Sequence, residues 1–201
     1  MAFFQALCIL TGLIFAAKPA LDFAEQQLYR WHSQKLWWQR DPSAEPVPGK
    51  PFAWVQSRDI GLEDVVLYGE RNPASMAHPS LSVYGREPGE TDGLFIIEGH
   101  RHSHFPQLEK MKIGQSLSLE TVSGNIQKYI LTEIEILALN QLPRSLEKND
   151  GDRALVLMTG YPFHYLGLPP LRFLAWFKKA PELTFLVGKK LSEPAYLNRS
   201  F

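Results

Sequence analysis

Of 201 residues only one is cysteine, at position 8. A single thiol forms no internal disulfide and cannot furnish the usual thiolate-rich structural zinc site. Surplus charge is missing too: 21 Lys and Arg balance 21 Asp and Glu, giving a formal net charge of zero and a pI near 7.0. Nucleic-acid affinity comes largely from basic side chains displacing phosphate counterions, so nucleic acid is not expected as a partner. No internal repeat or low-complexity tract is present, which removes solenoids and propellers. What is present is 45% hydrophobic and 12% aromatic residues, a composition of folded proteins rather than disordered ones. The length suits one globular domain with an appendage.

The appendage is N-terminal. Ala2 to Ala17 is a run of sixteen residues without charge, short of the roughly 20 that span a hydrocarbon core. Lys18 can snorkel to the interface, and Pro19 to Ala24 continue a mainly apolar pattern. Residues 1–24 are therefore expected to form a single-pass membrane anchor. A cleaved signal peptide is the alternative, opposed by an N-terminus without Lys or Arg and by bulky Phe15 near a cut after Ala17. A buried core helix is a third reading. Residues 25–50 read as a helical stem and a linker, with Leu21, Ala24 and Leu28 on one helix face. Trp31, Trp37 and Trp38 suit either an interfacial belt or aromatic packing under the domain. Asp41 to Pro51 holds four prolines in eleven residues, so it is neither helix nor central strand. The folded domain, residues 51–201, begins near Pro51.

From Phe52 onward, short β-rich runs alternate with turn residues. Eight strands are expected, at Phe52–Gln56, Asp64–Tyr68, Leu81–Tyr84, Leu94–Glu98, Ser116–Thr121, Gln127–Leu137, Arg153–Thr159 and Leu171–Trp176, with turns such as Glu87–Glu90 and Ser123–Asn125. This is an all-β class, a barrel or sandwich. Leu108 and Met111 lie three apart and allow one or two helical turns between Phe105 and Ile113.

Chemistry concentrates in two places. His100, His102 and His104 alternate in Gly99-His100-Arg101-His102-Ser103-His104-Phe105. On an extended backbone they would share one face, and three imidazoles with a water would suit a catalytic zinc, the basis of a metal-dependent hydrolase reading. A solvated loop is the plainer alternative. The second place is Arg153 to Phe163, a buried strand reaching a turn, followed by a strand that opens with Arg172.

These segments together resemble the sortases, membrane-anchored cysteine transpeptidases, and most closely the branch of marine proteobacteria. That branch carries, in order, a GHR-x-THF-like, a T-C-Y-P-F and a P-L-R-[YF] segment. Here they read Gly99 to Phe105, Thr159-Gly160-Tyr161-Pro162-Phe163 and Pro170-Leu171-Arg172-Phe173. Pro51-Phe52-Ala53-Trp54 and Ala17-Lys18-Pro19-Ala20 match as well, and the likeness runs to about Ala180. The resemblance implies a closed barrel of about eight strands with short helices. It also implies a domain on the extracytoplasmic, periplasmic side of the cell membrane, no cofactor, and a C-terminal sorting-signal peptide as partner. The roles of nucleophile, acid and oxyanion-steadying arginine fall on Gly160, His100 and Arg172, with Thr159 and His104 at substrate-binding positions. His102 stands where the family usually has an acid. Gly160 has no side chain, so the covalent acyl-enzyme cannot form there. The expectation is a degenerate member that still binds peptide. The alternative is a working transpeptidase in which Gly160 is an engineered substitution or a sequence error.

Overall fold

The computed structural model describes residues 31–69, 80–84, 94–147 and 155–181, together with helical Thr11, Gly12, Ala17, Leu21, Ala24, Gln27 and Leu28. Most of the expected anchor lies outside these residues, as do the Glu87–Glu90 turn and Arg153. No described helix is long and apolar enough to cross a membrane.

Among the described residues eight strands form: β1 (Pro51–Ser57), β2 (Leu62–Tyr68), β3 (Ser80–Tyr84), β4 (Leu94–Glu98), β5 (Ser116–Thr121), β6 (Ile126–Ala138), β7 (Leu155–Tyr161) and β8 (Leu171–Lys179). They close into a barrel in the order β1-β2-β3-β4-β7-β8-β6-β5. The β2–β3 and β4–β7 pairs are parallel and the rest antiparallel. Alternation along the strands sends one set of side chains inward. Val55, Val66, Phe95, Ile97, Leu117, Leu119, Leu131, Leu157, Phe173 and Phe177 form that interior.

Two outer faces are also covered. Ile96, Val156, Met158, Leu174 and Trp176 pack with Leu146 of the six-residue helix Leu142–Glu147. On another wall, Trp54, Val65 and Leu67 receive Trp37. Residues 31–38 are helical, and this end of the stem lies on the barrel. Trp37 is 1% exposed and stacks on Trp54 at 6.1 Å, with Trp38 at 6.0 Å from the same ring. Arg40 caps the seam, its guanidinium 3.8 Å from the Trp37 ring centroid and bonded to the Val122 carbonyl and the Glu120 carboxylate. Trp37 and Trp38 thus take the packing role rather than the belt. Trp31 is exposed, with the Lys35 ammonium 5.4 Å from its ring.

The proline-rich segment makes turns up to Gly49 and is tied to β2, where Gly49 N–H donates to the Tyr68 carbonyl at 2.8 Å. Pro51 opens β1, a position that tolerates its missing N–H. Following the pair directions around the barrel, β4 and β7 run parallel to β1, so Pro51 and the C-terminal end of β7 lie at opposite ends. A cavity of about 430 Å³ sits at the Pro51 end, between Leu36, Arg40, Val47, Phe52 and Val122.

Candidate functional site

The opposite end is built by the exits of β4 and β7. Gly99 continues the β4–β7 pairing: its N–H donates to the Met158 carbonyl at 3.0 Å, and Thr159 Oγ1 donates to the Gly99 carbonyl at 2.7 Å. A Cβ at Gly99 would come within 2.7 Å of the Phe105 ring, so only glycine lets that ring close over the strand end. The chain then turns. His104 N–H and Phe105 N–H both donate to the His100 carbonyl, at 3.0 and 2.9 Å, and His100 N–H donates to His104 Nδ1 at 3.0 Å.

This turn removes the extended backbone that a shared face would need. His100 is half-buried, His102 exposed and His104 fully buried, so the three imidazoles do not share a face. Among the described residues no three His, Cys, Asp or Glu side chains are grouped to hold a metal ion. Its slight desolvation, then the nearby Arg101 guanidinium and the His164 imidazole, lower the His102 pKa.

The seventh strand extends two residues beyond the expected Thr159, because Gly160 and Tyr161 still pair with Arg172 and Leu171. Position 160 is therefore a strand position. Met158 and Leu174 are cross-strand partners in the outer cluster. Two residues on, Gly160 and Arg172 are partners on that same outer face. Thr159 and Tyr161 point the other way. Thr159 is buried against Gly99, while the Tyr161 ring packs near Phe163 and Phe173 at 6.1 and 6.5 Å. Neither flanking hydroxyl is presented beside Arg172. The structure thus brings His100, Gly160 and Arg172 to one end of the β4–β7–β8 wall, and holds Thr159 and His104 in the packing beneath it.

Two further residues shape this place. Pro169, from the β7–β8 loop, lies against Gly160 so closely that a Cβ there would overlap its Cγ and sit 3.0 Å from its Cβ. Arg101 Nη1 would be 3.3 Å from the same Cβ, and Arg101 Nη2 donates to the Tyr165 and Gly167 carbonyls at 2.8 and 2.9 Å. Arg172 Nη1 turns back to the Pro169 and Leu171 carbonyls at 3.4 and 3.3 Å. Sequence reading passed over Arg101 as a member of the first motif and did not single out Pro169. The available signal was a charged residue directly after His100, at a strand exit.

The sequence matches the Sortase domain over residues 57–180, more than half of the chain. The chain belongs to the sortase family. Solved sortases share the fold. Clostridium perfringens sortase D5 is 19% identical, with a TM-score of 0.56 over 68% of this chain and 82% of that one. Corynebacterium diphtheriae sortase A is 16% identical, with a TM-score of 0.56 over 81% and 85%. Clostridium perfringens sortase C, solved with the C-terminal cell wall sorting motif, is 16% identical, with a TM-score of 0.57 over 78% and 90%. No curated protein matches the sequence.

Proposed function

We propose that this chain is a membrane-anchored sortase-family protein that has kept the fold and peptide cleft of a transpeptidase but not its covalent step. The ancestral reaction would be cleavage of a C-terminal sorting signal, with acyl transfer to an amine or to water. In that reaction a cysteine thiolate attacks the peptide carbonyl, a histidine protonates the leaving amine, and an arginine steadies the developing oxyanion. His100 and Arg172 stand at the matching positions. The single observation that carries the reading is Gly160: it pairs across from Arg172, and Pro169 fills the space in which a nucleophile's side chain would begin.

A water activated by His100 is the remaining route to cleavage. In the serine-protease precedent, loss of the triad leaves about 10³–10⁴-fold over the uncatalysed rate, so turnover would be slow. The sorting motif bound in the clostridial sortase C structure supports a peptide of that class as this chain's ligand.

The test uses the full chain with Cys8→Ser, so that the only thiol is the one introduced by Gly160→Cys. Mixed with sorting-signal peptides, this variant is expected to form a thioester detectable by mass. Adding His100→Ala abolishes turnover, and adding Pro169→Ala, which removes the overlapping Cγ, raises the yield. A folded Gly160→Cys, Pro169→Ala protein whose thiol stays unreactive would reduce the relationship to one of fold.

A further inference from the structure

We propose that the β7–β8 loop, residues 162–170, is a latched cover over position 160 and that Arg101 is its latch. Among the described residues little else holds the loop. Leu166 and Leu168 are 94% and 93% exposed, so apolar burial contributes almost nothing at its centre. The His164–Glu109 contact at 3.0 Å is largely exposed and correspondingly weak. Phe163 is buried and anchors the entry.

What remains is one guanidinium and one close contact. Arg101 is 9% exposed, and its Nη2 takes both the Tyr165 and Gly167 carbonyls. Such charge-assisted bonds in a buried setting are among the stronger ones. The buried Nε of Arg101 has no hydrogen-bond partner, so the cation's placement is set by the loop contact rather than by satisfying every donor. The second restraint is Pro169 resting on Gly160, a fit that depends on the missing Cβ. Arg172, bonded to the Pro169 and Leu171 carbonyls, follows the same backbone. The latch and the glycine act on one element. Loss of either lets the loop leave position 160 and uncovers the His100–Arg172 face.

The inference rests on the peptide-cleft reading only for what the cover excludes; the latch itself stands on geometry. It is tested on the full chain by timing chymotrypsin cleavage after Tyr165 and Leu166, with fragments identified by mass. A protease needs several residues drawn out of the fold, so the rate reports opening of the loop rather than surface exposure of one side chain. Arg101→Ala and Gly160→Ala are each expected to speed cleavage about tenfold, and Arg101→Lys, which loses the planar fork, to fall between. The double variant should gain less than the product of the two singles, because both release the same loop. Gly160→Ala and Arg101→Lys keep the test decisive if Arg101→Ala does not fold. Rates within twofold of the unmodified chain in Gly160→Ala and Arg101→Lys would overturn the proposal. Binding of a fluorescent sorting-signal peptide is followed in the same variants. Faster cleavage without peptide binding in any of them would leave the cover standing and remove the peptide reading.

Discussion

At the scale of single residues, the site is shaped as much by side chains that are absent as by those present. Gly99 admits the Phe105 ring and so turns the chain that carries His100, and Gly160 admits Pro169. A buried titratable group gives a residue-scale test away from the site. Tyr129 on β6 is 2% exposed, and burial pushes its phenol up to about 12. The folded pKa lies above the unfolded value near 10, so its contribution to stability is complete below pH 10 and is lost as pH rises through about 12. Urea midpoints of the unmodified chain should fall more steeply between pH 10 and 12 than those of Tyr129→Phe. The difference in slope approaches about 1.4 kcal/mol per pH unit. Parallel slopes would show that Tyr129 ionises freely in the fold. Residue identity alone put a glycine, Gly160, at the position to which the family resemblance gives the nucleophile. Its contact with Pro169 was not legible, since that depends on how a nine-residue excursion between two strands folds back. The shared face of the three histidines was conditional on an extended backbone, a condition that alternation cannot decide, and the chain turns at residues 101–104.

At the scale of elements, all eight strands were legible, because short alternating runs between Gly, Pro and Asn have few other uses. The closure order was not, since parallel β2–β3 and β4–β7 pairings join segments whose periodicity says nothing about neighbours. The stem was placed outside the 51–201 domain, with packing under it as one of two roles for Trp37, and that packing makes the helical segment 31–38 part of the wall. Its contact with Trp54 crosses seventeen positions and the proline-rich segment, a distance over which helical periodicity carries no information. Truncating a buried Trp to Ala typically costs about 3–5 kcal/mol. Trp37→Ala is therefore expected to lower barrel stability by about 3 kcal/mol, read from denaturant unfolding. A chain starting at residue 45 should lose at least as much, since it also loses Arg40. A change below about 0.5 kcal/mol in Trp37→Ala would mean the stem only rests on the barrel.

At the scale of the whole molecule, the strand directions place His100, Gly160 and Arg172 at the end of the barrel away from Pro51, where the chain arrives from the stem. In the proposed membrane-anchored arrangement, with residues 1–24 as the anchor, the site would lie at the barrel end away from the bilayer. The full chain should accordingly sediment with membranes, deletion of residues 1–24 should release it, and protease outside spheroplasts should digest the barrel. Protection of the barrel until lysis would reverse the orientation. The central claim is that a sortase-family fold here presents its histidine and arginine without a nucleophile. The most direct measurement is prolonged incubation of the unmodified full chain with sorting-signal peptides and an amine acceptor, followed by mass analysis of peptide and protein. The account predicts intact peptide and no acyl adduct on the protein. Robust cleavage or transpeptidation, abolished by His100→Ala, would contradict it and require a nucleophile other than residue 160.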